Sequence, residues 1–168
     1  YLSQHNINMP NHTENNLLLR IPTSEEETKI RNYLIGDEYL NGGHEFYMTL
    51  SKIVPPPKEG GSREWNIENW GTKWDCYASE EKCTDYDEDG ILIHFYFETA
   101  WSPPFPVIEK LAELFPDVSV LHRYADEGGQ WEGVHFYKEG WRVYDREIVP
   151  LMDANFDVLD WMVGRKDL

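Results

Sequence analysis

The stretch Glu98-Thr99-Ala100-Trp101-Ser102-Pro103-Pro104 decides how this chain of 168 residues reads. Ahead of it, Ile91, Ile93, Phe95 and Phe97 point one way while Leu92, His94 and Tyr96 point the other. Alternation in β-branched and aromatic residues marks a strand, and a second face that is only partly polar places that strand inside a sheet. Behind the stretch, Phe105, Ile108, Ala112 and Phe115 recur at helical spacing. Ser102 stands where a helix cap belongs, and Pro103 at the first helical position, where its missing N–H costs nothing. The stretch reads as a strand-to-helix corner.

Upstream, Leu17, Leu19 and Ile21 alternate within residues 15–21, a strand ended by Pro22. Thr23 or Ser24 caps a helix, with glutamates three residues on completing a capping box. Ile30, Tyr33 and Leu34 give that helix its apolar face, and Gly36 stops it. Residues 45–53 alternate again through Phe46, Met48 and Leu50, which predicts a strand closed by Pro55, Pro56 and Pro57. Between 63 and 84, Trp65, Trp70 and Trp74 follow neither period, so a loop-rich, tryptophan-rich insertion is expected at about 55–89. It would fold over the core, with Trp101 as its landing place. Downstream, residues 118–124, 130–137 and 141–148 read as strands, with a turn at Gly128-Gly129. Met152, Phe156, Leu159 and Val163 then suggest a C-terminal helix ended by Gly164. The order predicts an α+β, ferredoxin-like split βαβ fold: an antiparallel sheet with two helices on one face, the insertion, and a C-terminal hairpin and helix. Met9-Pro10-Asn11 resembles a natural start, leaving 1–8 as an extension before a single domain over 9–168.

Charge narrows the function. Acids outnumber Lys plus Arg by 31 to 15, a net charge of −16. Such a surface repels phosphate backbones, so direct nucleic-acid binding is not expected. It suits a basic partner or plain solubility. No apolar run approaches a membrane span and the N-terminus lacks a signal-peptide core, which reads as a cytoplasmic protein. Cys76 and Cys83 lack zinc-site spacing and are expected as two free thiols. Asp85-Tyr86-Asp87-Glu88-Asp89-Gly90 follows the first half of a calcium loop, but Tyr96 stands at the twelfth position, so a turn is the simpler reading. His94, His122 and His135 fall on three predicted strands; ordinary surface or core imidazoles explain them better than a metal centre. No catalytic residue, metal ligand or cofactor motif is nominated.

Three runs taken together resemble a known family. They are Met9 to Leu19 with its Asn-rich lead, Asn69-Trp70-Gly71-Thr72-Lys73-Trp74-Asp75, and Thr99-Ala100-Trp101-Ser102-Pro103-Pro104. The pattern is similar to the YubB-type family with a ferredoxin-like domain, found on plasmids and phages, over roughly residues 9 to 138. His12-Thr13 departs from it, standing where the family tends to have Trp-Cys. The resemblance implies the fold and a mobile-element provenance, and carries no activity with it.

These observations favour a non-enzymatic binding module that holds a host or phage protein through Asn69, Trp70, Thr72, Lys73, Trp74, Asp75, Trp101 and Ser102. One alternative is an acidic nucleic-acid mimic directed at a host defence system, using Glu80, Glu81, Asp85, Asp87, Glu88 and Asp89. Another is a small enzyme with a pocket beneath the tryptophan-rich insertion.

Overall fold

A computed structural model of the chain describes residues 11–36 and 48–148. The described residues form an α+β domain: a six-stranded, wholly antiparallel sheet with three α-helices. The strands are β1 (His12–Ile21), β2 (Tyr77–Asp87), β3 (Gly90–Ala100), β4 (Ser119–Asp126), β5 (Glu132–Lys138) and β6 (Trp141–Ile148). The helices are α1 (Ser24–Leu34), α2 (Arg63–Trp70) and α3 (Phe105–Leu114). Sheet order is β2-β3-β1-β4-β5-β6. β1 is therefore interior, Leu18 lying opposite His94 of β3 on one side and Leu121 of β4 on the other.

The pleat sorts the strand residues into two sets. Leu17, Leu19, Ile21, Ile93, Phe95, Phe97 and Val120 are buried in one large cluster with Ile30 and Leu34 of α1, Val107, Ile108 and Leu111 of α3, and Trp70 of α2. Leu18, Leu121 and Val134 form a smaller cluster on the opposite face, with Phe136 and Tyr144 packed against it. Ile91, Ile93, Phe95 and Phe97 fall in the large cluster, as their alternation predicts.

Local chemistry explains the boundaries. Thr23 caps α1, its hydroxyl accepting the Glu26 N–H at 3.2 Å. Ser62 caps α2 in the same way, and Gly71, at φ 76°, ends it in the left-handed conformation that glycine adopts freely.

Three expectations are corrected. The described part of the strand predicted over 45–53 is an isolated bridge from Met48 to Ile35 followed by a 3₁₀ turn, Leu50–Lys52. Its cause is Asp75, whose carboxylate accepts the Leu50 N–H at 2.7 Å, the Ser51 N–H at 3.3 Å and the Thr49 hydroxyl at 2.8 Å. These groups are satisfied by a side chain rather than a ladder. The segment 63–84, expected as loop, contains α2 and most of β2. Helix α3 begins at Phe105, with Pro104 rather than Ser102 in the cap position and no side-chain cap bond. Residues 1–8, Phe46 and the predicted C-terminal helix lie outside the described residues.

Candidate functional site

The corner after β3 turns on Trp101, which holds φ 75°. A bulky non-glycine residue in that region is an outlier that costs about 1–3 kcal/mol. The surrounding bonds fix it there. The Trp101 N–H donates to the Asn11 carbonyl at 2.9 Å. Next to it, Thr72 is buried and bonds the Ala100 backbone twice, its hydroxyl donating to the carbonyl at 2.9 Å and accepting the N–H at 3.1 Å. The Ser102 hydroxyl donates to the Gly71 carbonyl. This use of Ser102 explains why it does not cap α3. The segment after α2 is thereby clamped onto the corner, the landing place expected from the sequence.

The predicted contact residues divide into two kinds. Trp70 is buried and donates its indole N–H to the Val54 carbonyl at 2.8 Å, with Trp65 packed edge-on at 5.4 Å. Asn69 donates back to the Trp65 carbonyl, and Asp75 holds the 3₁₀ turn. Together with Thr72 and Ser102, these side chains hold the corner together. Trp74 and Trp101 are different, being 38% and 44% exposed. The Lys73 ammonium sits 4.3 Å from the Trp101 ring centre and 4.8 Å from that of Trp74. The Arg63 guanidinium lies 4.9 Å from the Trp101 ring centre. Sequence reasoning missed Arg63, because only helix α2 brings it beside Trp101. Ile67, one turn further along α2, is also exposed.

The predicted acidic patch does not present one face. Glu81 is bound by Arg31 of α1 at 2.7 Å, Asp87 is gripped by Arg20 at 2.7 Å, and Glu80 pairs with Lys82. Asp87 opens the β2–β3 turn, its carboxylate accepting the Asp89 N–H at 2.9 Å. Asp85, Glu88 and Asp89 are exposed.

The three strand histidines do not converge. His122 and His135 are directly opposed across β4 and β5, where Phe105 stacks on His135 at 4.5 Å and meets His122 edge-on. Asn15 bridges this cluster to β3: His122 Nε2 lies 2.9 Å from its Oδ1, and its amide donates to Thr99 Oγ1 at 3.0 Å. Burial pushes the His122 imidazole down to about 3, with His135 adding to the effect, and its Nδ1 has no hydrogen-bond partner. His94 alternates onto the other face, where Nε2 lies 2.9 Å from Asn16 Oδ1. Cys76 is partly buried and Cys83 exposed, and both are free thiols. Among the described residues, no three or more His, Cys, Asp or Glu side chains group to hold a metal ion.

Comparisons with known proteins bear on the fold. A family described as a ferredoxin-like domain in Api92-like protein matches residues 70–148, from the end of α2 to the end of β6. The matched residues take in the corner, strands β2 to β6 and helix α3. Among solved structures, the chain is similar to the crystal structure of protein api92 from Yersinia pseudotuberculosis, at 16% identity and a TM-score of 0.45. That likeness covers 66% of this chain and 43% of the other, so the chain spans less than half of that protein's length. No curated protein matches. Among the described residues no helix is long and apolar enough to cross a membrane.

Proposed function

We propose that this protein is a protein-binding module whose contact surface is built from Trp101, Trp74, Lys73 and Arg63. The observation that carries the reading is Trp101 itself, a large aromatic side chain left 44% exposed on a backbone at φ 75°. Glycine would fit that conformation at no cost, so backbone conformation does not account for the residue. Strain held at an exposed aromatic points toward recognition. Trp and Arg are also the residue types that dominate binding energy at interfaces. Neither Lys73 nor Arg63 is ion-paired to a carboxylate among the described residues, whereas Arg20, Arg31 and Arg123 all are. The surface therefore sets two cations beside two indoles, and it acts by contact rather than by chemistry.

The YubB-type resemblance enters this proposal as the source of the partner, a host or phage protein met inside a bacterial cell. The strand order β2-β3-β1-β4, with α1 and α3 sharing one core cluster, supports reading the framework as a split βαβ with both helices on one face.

The test is affinity capture from host lysate with the wild-type chain and with a Trp101→Gly, Trp74→Ala double variant. The partner is expected to be lost from the double variant and kept by Trp141→Ala, which removes an exposed indole from the far edge of the sheet. An unchanged set of captured proteins in the folded double variant would sink the reading.

A further inference from the structure

A second site stands on the other face of the sheet, independent of the tryptophan surface. There a cavity of about 250 Å³ is bounded by the buried side chains of Leu18 and Leu92 and by Asn16, His94, Cys83, Asp85 and Arg123. Cys83 and His94 are direct partners across the β2–β3 ladder. Opposed residues of this kind have Cβ atoms about 4.5–5.5 Å apart, so the thiol and the imidazole share one wall of the cavity. The Asn16 carbonyl oxygen faces His94 Nε2 at 2.9 Å. A carbonyl oxygen can accept but not donate, so Nε2 carries the ring proton and Nδ1 is left as the basic nitrogen. A thiol, an imidazole with one basic nitrogen and an amide that fixes the ring's tautomer are the parts of a nucleophile activated by a base, a constellation that recurs on unrelated folds.

We propose that this cavity is a thiol acyl-transfer site for a small ester or thioester with a short apolar acyl group, with Cys83 as nucleophile, His94 as base and Asn16 as the positioning residue. His94 Nδ1 takes the proton of the Cys83 thiol as sulfur bonds to the acyl carbon. The carbonyl electron pair moves onto oxygen, which the Arg123 guanidinium, a cation on the cavity lining that also pairs with Glu132, can stabilise. The oxyanion collapses, the bond to the leaving alcohol or thiol breaks, and that group departs with the proton from Nδ1. The acyl group remains on Cys83 as a thioester, its chain against Leu18 and Leu92. Water, deprotonated by the same nitrogen, or a second nucleophile then releases it. No oxidant or metal enters the sequence.

The resting electrostatics call for such a base. Burial first, then Asp85 and Glu81, push the Cys83 thiol up, so it is protonated near neutrality and a poor nucleophile unaided. Burial first, then Lys82, push His94 down, so its ring is neutral and able to accept a proton. Other charged or titratable groups on this face are Arg123, paired with Glu132, Arg20, held by Asp87, and Tyr96, which lies beneath the Lys82 ammonium and donates its hydroxyl to Glu98, with Glu14 opposite Glu98 on β1.

The experiment is acetylation of the full chain by p-nitrophenyl acetate, followed by p-nitrophenolate release and by peptide mass mapping. An acetyl thioester is expected on Cys83 and not on Cys76, which burial keeps protonated. The rate should be level between about pH 7 and 8, because neutral His94 and neutral thiol coexist there. Cys83→Ser should abolish the adduct. His94→Gln should slow it about 100-fold, and Asn16→Ala should slow it less while shifting the acid limb of the profile. A wild-type rate that climbs about tenfold per pH unit toward the thiol range would overturn the proposal, as an unassisted thiolate behaves that way. Equal labelling of Cys76 and Cys83, or an undiminished rate in folded His94→Gln, would overturn it too. The wild-type pH profile is decisive by itself if the His94 variant does not fold.

Discussion

At the residue scale, His122 carries the clearest consequence. It is fully buried and held neutral, while an unfolded chain would protonate the same ring near 6.5. Between that value and about 3 the unfolded state binds the extra proton, so stability falls as pH falls through the window. The loss is at most about 1.4 kcal/mol per pH unit, the value of one unit of differential protonation. His122→Gln keeps a donor for Asn15 and removes the titration. Urea midpoints for this variant should therefore change less between pH 7 and pH 5 than those of the wild type, and parallel slopes would count against the assignment. Trp101 makes a second residue-scale prediction. Because its φ of 75° suits glycine, Trp101→Gly should be more stable than Trp101→Ala by about 1 kcal/mol, read from thermal or urea melting. Both variants lose the indole, so the difference isolates the backbone.

At the scale of elements, the clamp between α2 and the corner is the part to break. Thr72→Val removes a buried hydroxyl that bonds the Ala100 backbone twice and should cost about 1–3 kcal/mol. Gly71→Ala adds strain at φ 76° and sets a Cβ 3.0 Å from Pro106 Cδ. Hydrogen exchange should show α2 loosening in both variants while β1 stays protected; a uniform loss across the sheet would mean that α2 and the sheet unfold as one unit. How far the sequence shows these elements follows from their physics. β3 and α3 read directly because each buries one side, which imposes a period of 2 or 3.6 on the apolar residues. β2 is an edge strand whose residues, Tyr77-Ala78-Ser79-Glu80-Glu81-Lys82, lie exposed or half-buried, so no apolar period marks it. Helix α2 is a single short stretch whose signals were its ends, the Ser62 cap and the Gly71 stop, rather than its middle. The contact residues were legible as a cluster of indoles on the chain. Which of them pack and which face outward depended on Val54, Arg63 and Ala100, none of them adjacent in sequence to the residue it meets. The pairing of Cys83 with His94 exists only in the β2–β3 register, so neither residue signals it along the chain.

At the scale of the whole molecule, the question is what the acidity does. Three of the six acids in the predicted patch are bound to Arg31, Arg20 or Lys82, and Glu81 and Asp87 answer to different elements. A mimic of a charged backbone needs its carboxylates free and in a row. Neutralising Glu80, Asp85, Glu88 and Asp89 together to their amides should therefore leave partner capture through the tryptophan surface intact. Capture that collapses in this variant while surviving the Trp101→Gly, Trp74→Ala change would move the function to the acidic mimic.

The placing of β1 in the sheet has a consequence for how the molecule is made. Thr13 and Leu18 lie opposite Asp126 and Leu121 on one side and Thr99 and His94 on the other, so both neighbours of β1 come from far along the chain. During synthesis β1 leaves the ribosome long before β3 and longer still before β4, and its row of leucines waits without a partner. Pairings so distant in sequence carry a large loop-closure cost and make folding slow. A strand seated in the middle of the folded sheet is thus the one that spends longest as an open, apolar ribbon in the growing chain.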